Sequence, residues 1–266
     1  MYEFGFIGTG NMGGALASAV CAGSGPERLI LANRSPEKAE RLADELGCAA
    51  GSNEQVAEEA KFIFLGVKPQ MLAGLMEGLG SILAKRDKPY VLVSMAAGIS
   101  MERIAAMAGQ DCPVVRLMPN TPAAVGQGVI LYDCNAFVAE EDRARLAEVL
   151  APAGLVERIE ERLIDAASAV SGCGPAFCDL FLEALADGAV ACGLPRAAAL
   201  RCAAQMVLGS ARLALESGLH PGALKDAVCS PGGSTIQGVR ALERNGFRGA
   251  VMEAVIAAFE RTLELG

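Results

Sequence analysis

The chain has 266 residues, 52% of them hydrophobic and 20% charged, with a formal net charge of -8 at pH 7. That length holds a full core and leaves room for two domains, and the apolar excess suggests surface buried between subunits. The acidic balance without a basic cluster argues against nucleic acid; no run of about 18 uninterrupted apolar residues suggests a membrane span and no basic-then-apolar leader stands at Met1, so a cytoplasmic protein is expected.

Residues 2–8 read as a short apolar strand running into Gly8-Thr9-Gly10-Asn11-Met12-Gly13, after which Ala15, Leu16, Ala19 and Val20 recur at helical spacing. This is a G-x-G-x-x-G between a strand and a helix, the context that a dinucleotide site needs. The first glycine allows the turn, the second lets backbone approach a pyrophosphate, and the third lets helix pack on strand. About 20 residues on, where an NAD site places an acid for the ribose hydroxyl, the strand Leu29–Ala32 ends in Asn33-Arg34-Ser35. A guanidinium with two small hydrogen-bonding neighbours suits a 2′-phosphate, which favours NADPH, with NADH the alternative cofactor and a merely solvated Arg34 the alternative reading of the residue.

The alternation continues with a helix over Pro36–Leu46, a short helix after Asn53, and a strand over residues 62–67 ending in Lys68-Pro69. A helix follows, then a strand over 90–93 ending in Ser94-Met95-Ala96-Ala97-Gly98, and a helix from Ser100. Next come a strand over 114–117 leading to Met118-Pro119-Asn120-Thr121-Pro122, and a strand over 129–132. This period predicts an α/β domain with a doubly wound parallel sheet, whose ligands sit beyond the carboxyl ends of the strands. Lys68-Pro69, Ala96-Ala97-Gly98 and Asn120-Thr121 fall at such ends and read together as the nicotinamide side of one cleft.

A helix over Glu140–Leu150 and a last strand over 155–158 close a first domain at residue 160. From 161 to 266 the strand signals vanish. Helices are expected at about 162–170, 175–192, 195–217, 221–229, 234–245 and 248–264, with Gly193, Gly218 and Gly246 as stops. The segment 196–215 is apolar on nearly every face and has to be buried all round, which a domain of this size can do only as an intertwined dimer. Asp179, Glu183 and Asp187 form a stripe that reads as a solvated face or a set of ion-pair partners.

The stretch from Lys225 to Gly238 is the most distinctive of this second half. Pro221 opens a short helix that should stop at Ser230, before Pro231; Pro231-Gly232-Gly233 is a tight turn; and Ser234 and Gln237 have the spacing of a capping box for a second helix. Glycines followed by Ser-Thr at a helix start leave N–H groups, the positive end of a dipole and hydroxyls around a small space that suits a carboxylate. An ordinary capped turn between core helices is the alternative. Nine cysteines without a C-x-x-C pair, and a single histidine, make a metal site improbable. Reduced thiols are the default, with Cys229 beside the turn.

Familiar hydride-transfer chemistries lack their acids here. Tyr2, Tyr90 and Tyr132 have no lysine four residues on, His220 precedes Pro221 in a loop, and the region that would carry a hydroxyacid dehydrogenase's lysine reads Gly172-Cys173-Gly174-Pro175-Ala176-Phe177. An imine can arrive already protonated, so its reduction needs orientation and a hydrogen bond more than a strong acid, and a hydroxyl such as Thr235 would suffice.

Taken with Val67-Lys68-Pro69, Ser171-Gly172-Cys173-Gly174-Pro175-Ala176-Phe177, Glu183-Ala184-Leu185-Ala186-Asp187 and the run from His220 to Gly238, these motifs resemble the Δ1-pyrroline-5-carboxylate reductase family over essentially the whole chain. The resemblance implies an N-terminal Rossmann domain at 1–160, and a C-terminal all-helical dimerisation and substrate-binding domain at 161–266. It further implies homodimers that assemble into decamers, and hydride transfer from NADPH to the imine carbon, which yields L-proline as the last step of its biosynthesis. The cofactor would lie along Gly8, Thr9, Gly10, Asn11, Met12 and Gly13, then Asn33, Arg34, Ser35, Asn53, Val67, Lys68, Pro69, Ala97, Gly98 and Asn120. The substrate carboxylate would lie at Gly233, Ser234 and Thr235, which in this family line the partner subunit's cleft, with Val228 and Glu161 flanking the ring and Thr235 hydrogen-bonding its nitrogen. Cys173 where serine is frequent, and Ser234 where alanine or threonine is frequent, remove no backbone donor. A reductase of another cyclic imine, or a non-catalytic NADP(H)-binding regulator, would fit the same motifs.

Overall fold

The computed structural model describes residues 1–109 and 111–264. Its first half is built on an eight-stranded sheet in the order β3-β2-β1-β4-β5-β6-β7-β8. The strands are β1 (Tyr2–Ile7), β2 (Leu29–Ala32), β3 (Ala49–Ala50), β4 (Ala60–Leu65), β5 (Val91–Ser94), β6 (Val114–Met118), β7 (Gly128–Cys134) and β8 (Gly154–Arg158). β2, β5 and β6 are buried at every position, as expected for strands covered on both faces.

Helices α1 (Asn11–Ser24), α2 (Pro36–Leu46) and α6 (Glu140–Leu150) cover one face. There Phe4 stacks on Phe62 and Phe6 on Phe64, with ring centroids 5.2 and 4.2 Å apart, against Leu16, Val20 and Val149. On the other face α3 (Asn53–Glu59), α4 (Pro69–Ala84) and α5 (Met101–Ala108) pack around Ile7, Ile63, Leu65, Leu72, Met76 and Ile104. The alternation of strand side chains thus splits one sheet between two cores.

Two strands depart from the expected parallel order: β7 runs antiparallel to β6, and β8, parallel to β7, shares its reversed course. Only a 3-10 turn, Thr121–Val125, joins β6 to β7, and a parallel return needs a crossover of a dozen or more residues. β8 restores parallel pairing with β7 after α6. β3, a two-residue strand, carries no periodic signal and was not expected.

The chain divides into two compact units, Met1–Cys173 together with the chain from Ala258, and Gly174–Ala257. By compactness α7 (Glu161–Ser171) goes with the first unit, because Ile164 packs with Met118 and Leu131 and Asp165 pairs with Arg116 of β6. Loss of strand signals marks the end of the sheet, not the end of what packs on it.

The second unit contains α8 (Gly174–Ala191), α9 (Arg196–Ser217), α10 (Pro221–Ala227), α11 (Ser234–Arg244) and the start of α12 (Phe247–Leu263). α8 and α9 pack on each other, and Phe181 meets Phe247 at 5.9 Å. Ala199 and Ala203 are the buried residues of α9. Its large apolar residues are not buried within the chain: Leu208 is 56% exposed, Leu213 55% and Leu215 84%. The run Glu161–Ala191 is long and apolar enough by composition to cross a membrane, and an 18-residue window of it is 11% buried within the chain. Asp187 of the acidic stripe pairs with Arg196 at 2.5 Å while staying exposed, so it is both an ion-pair partner and part of a solvated face.

Candidate active site

The turn after β1 builds the first half of the site. Gly8 has φ 103°, and a Cβ there would sit 2.5 Å from the carbonyl oxygen of Gly66, so the ends of β1 and β4 approach as no side chain would permit. A Cβ on Gly13 would meet the Gly8 carbonyl at 2.1 Å, whereas one on Gly10 would meet nothing within 4 Å. The first and third glycines therefore serve packing, and the second leaves open space. α1 starts at Asn11 with Gly10 as its cap and no side-chain cap bond, so the N–H groups of its first turn remain free for an anion.

Asn33 braces this turn. Its Oδ1 accepts the Thr9 N–H at 3.1 Å and its Nδ2 donates to the Ser35 carbonyl at 3.1 Å. Gly8, Gly10, Asn33, Arg34, Ser35, Asn53, Val67 and Lys68 line a cleft of about 680 Å³. Lys38, Glu54 and Gly66 join them there, as do Met71, Gly74 and Leu75 of α4. Neither Arg34 nor Lys38 has an ion-pair partner among the described residues, so both cations are available to a ligand in the cleft. Glu54 is the acid that lines the cleft with them; a hydrogen bond with Ser52 holds its carboxyl below its ordinary value.

Two orphaned polar atoms mark the same region. Asn53 Oδ1 and Thr9 Oγ1 are buried without a hydrogen-bond partner, a costly arrangement that a donor-rich ligand would relieve. A dinucleotide phosphate fits this set: free helix-start N–H groups for its pyrophosphate, unpaired Arg34 and Lys38 for a further phosphate, and Asn53 for a sugar or base donor. Lys38 was not expected from the sequence, although its place on the first turn of α2, three residues after Ser35, is a signal that could have found it.

The remaining expected cofactor residues divide. Thr9 and Asn11 face a groove between α1 and α2 that Gly10 also borders. Met12 and Gly13 lie inside α1, and Pro69 opens α4 after Lys68. Ala97 and Gly98 form the turn after β5, where Gly98 has φ 71° and Ala97 packs on the Met118, Leu131 and Ile164 cluster.

Two side chains expected to meet ligands are occupied elsewhere. Asn120 donates to the Ser171 carbonyl at 2.8 Å and accepts the Val129 N–H at 2.8 Å, so its side chain ties the end of β6 to β7 and α7. Glu161 accepts the Met101 N–H at 2.7 Å and lies 3.8 Å from Arg116. Both side chains answer partly buried backbone N–H groups, those of Val129 and Met101, a demand that a motif does not display.

In the second unit Val228 is 65% exposed, and Ser234 and Thr235 are exposed on the first turn of α11. α10 ends at Ala227, where the Val228 and Cys229 N–H groups turn back onto the Lys225 and Asp226 carbonyls. His220 caps its start by accepting the Gly222 N–H at 3.0 Å. The capping box expected of Ser234 and Gln237 does not form: Gly233 is the cap of α11, Ser234 is already helical, and Gln237 meets Arg240 instead. With Gly233 as cap the first N–H groups of α11 have no side-chain acceptor, while the Ser234 and Thr235 hydroxyls lie beside them. Gly232 has φ 70°, the left-handed conformation that calls for glycine at this turn, while a Cβ on Gly233 would lie 2.4 Å from the Ser230 hydroxyl, which would have to turn away.

Residues 161–265 match the family model described as pyrroline-5-carboxylate reductase dimerisation, and residues 3–98 match the model described as NADP oxidoreductase, coenzyme F420-dependent. A pyrroline-5-carboxylate reductase of Escherichia coli (strain K12) is 43% identical over 266 residues, covering 99% of this chain and 98% of the relative. The crystal structure of Plasmodium falciparum pyrroline carboxylate reductase with NADP bound superposes with a TM-score of 0.89 at 32% identity, over 100% of this chain and 98% of the other. A pyrroline-5-carboxylate reductase from Coxiella burnetii gives a TM-score of 0.90 at 32% identity with the same coverage.

Proposed function

Because this chain belongs to the pyrroline-5-carboxylate reductase family, we propose that its two halves divide one reaction, the NADPH-dependent reduction of L-1-pyrroline-5-carboxylate to L-proline. NADPH supplies the hydride that adds to the imine carbon. Gly8, Gly10 and the first N–H groups of α1 hold the pyrophosphate, Arg34 and Ser35 with Lys38 hold the 2′-phosphate, Asn53 lines the adenosine side, and Val67 to Pro69 lie toward the nicotinamide. Ala97 and Gly98 bound the nicotinamide.

The observation that carries the substrate reading is the uncapped start of α11. The N–H groups of Ser234 and Thr235 hold the substrate carboxylate at the positive end of the helix dipole, and the Thr235 hydroxyl hydrogen-bonds the ring nitrogen. Val228 flanks the ring. No strong general acid is needed, because the imine can be bound in its protonated form and its basic nitrogen needs only a partner in the right place.

The chain forms homodimers through its helical domain, and the bare leucines of α9 support this. The dimers assemble further into decamers, the arrangement that the family resemblance implies. The protein works in the cytoplasm; nine free cysteines without a disulfide suit a reducing compartment.

Loss of absorbance at 340 nm on adding pyrroline-5-carboxylate, with NADPH and NADH in parallel, tests the whole reading. Turnover with NADPH preferred is the expected result. A preference for NADH would keep the reaction and remove Arg34 from 2′-phosphate recognition. Cofactor binding without turnover would favour a regulator that retained the fold.

A further inference from the structure

A buried polar network joins helix α7 to the turn after β5, and the reaction above leaves it without a role. Arg116 lies within β6, opposite Ser94 of β5 and Asp133 of β7, and is 3% exposed. A guanidinium so deep needs anionic partners. Asp165 accepts from its Nη2 at 2.5 Å, and Glu161, one turn earlier on α7, lies 3.8 Å from Nη1. The same Glu161 oxygen accepts the Met101 N–H at 2.7 Å.

That N–H is the first of α5, so Glu161 closes the far end of the turn that contains Ala97 and Gly98. The near end is pinned by Ser94, whose hydroxyl accepts the Ala96 N–H at 3.3 Å, and the middle by Ala97 packing against the cluster that Ile164 of α7 forms with Met118 and Leu131. Ser100 supplies the next bond, accepting the Arg103 N–H at 3.2 Å. The turn is therefore held by α7 at two points, and the carboxylate that does so is itself oriented by a buried cation. Its backbone is fixed as well, since the Glu161 N–H donates to Asp133 Oδ2 at 2.8 Å.

We propose that Glu161 and Arg116 are positioning residues for hydride transfer: through the Met101 N–H they set where the Ala97–Gly98 turn stands, and so how deeply the nicotinamide is held. The proposal rests on the reading that the nicotinamide lies against that turn. It gives Glu161 a place behind the cofactor instead of beside the substrate ring, where the family resemblance puts it. Hydride transfer is sensitive to such support, because a displacement of about 1 Å at reacting groups can cost about 100-fold in rate.

The test uses the full-length oligomer with NADPH carrying deuterium at the transferred position. Wild type has to turn over first; if it does not, the reading of function and this inference both fall. In Glu161→Ala, kcat should drop about 10-fold, the isotope effect on kcat should rise as the chemical step becomes limiting, and KM for pyrroline-5-carboxylate should change by less than about twofold. Glu161→Gln keeps an acceptor for Met101 and should recover kcat to within about threefold of wild type. Arg116→Gln, which keeps Glu161 as an acceptor but removes the cation that orients it toward Met101, should lower kcat and raise the isotope effect in the same direction, and it decides the matter if Glu161→Ala does not fold. Wild-type kcat and isotope effect in these variants would overturn the proposal, as would a raised KM for pyrroline-5-carboxylate with kcat unchanged, the signature of a direct substrate ligand.

Discussion

Thr235 is a side chain whose role depends on what its helix does not have. With Gly233 as cap, the first turn of α11 offers its N–H groups outward, and the Thr235 hydroxyl stands among them. Conversion of Thr235 to Ala removes one positioned hydrogen bond and no packing, since the residue is exposed within the chain. kcat/KM should fall by about 10- to 100-fold with the thermal midpoint unchanged; steady-state kinetics with a melting curve checks both, and an unaltered kcat/KM would take Thr235 out of the mechanism. The single residues most readable in the sequence were those whose backbone matters, Gly8, Gly13 and Gly232, because a glycine at a turn advertises its own reason. Asn120 and Glu161 were not readable in this way. Their side chains answer partly buried N–H groups on Val129 and Met101, partners known only once the chain is folded.

At the scale of elements, α9 shows how a helix reports a partner that is not in its own chain. Its two buried residues, Ala199 and Ala203, are small, and packing against α8 leaves Leu208, Leu213 and Leu215 bare. Burial of a leucine contributes about 1.5–3 kcal/mol, so a row of them on the surface favours association strongly. The double variant Leu208→Glu, Leu215→Glu should shift the protein toward monomer in sedimentation velocity, while NADPH binding persists because the cofactor cleft is built within the first unit. Unchanged sedimentation would mean that the partner covers another face. The same element logic explains β7: the pattern identified a strand, but its direction was set by the shortness of the connection from β6, which leaves no room for a crossover.

For the molecule as a whole, a charge cluster ties the start of the chain to the rest. The Arg145 guanidinium of α6 donates to both Glu3 oxygens, at 2.7 and 3.1 Å, and Arg28 adds a bond at 3.0 Å. Arg145 foremost, with Arg28, holds the Glu3 carboxyl below its ordinary value of 4.5. A carboxyl lowered in the folded state stabilises above its unfolded value and loses that contribution as pH falls through the folded one. Glu3→Gln should therefore melt below wild type at pH 7, and the two curves should converge as pH drops below 4.5. A gap that stays constant with pH would show that the pair contributes through packing alone. Cys48 behaves oppositely: burial pushes its thiol up to about 11, so it stays protonated and unreactive at neutral pH.

The sequence by itself determined the alternation of strands and helices, the dinucleotide turn, the helical second half and the glycine-serine-threonine helix start. Each of these is a local pattern, written in periodicity or in backbone freedom, and local patterns survive without knowledge of neighbours. Only the tertiary structure decided the antiparallel course of β7, the attachment of α7 to the sheet, the cap of α11 and the partners of Asn120, Glu161 and Arg116. These depend on which buried polar groups meet across long separations in the chain. Such meetings are enforced by the cost of leaving a buried donor or charge unpaired, a cost that exists only in the folded chain.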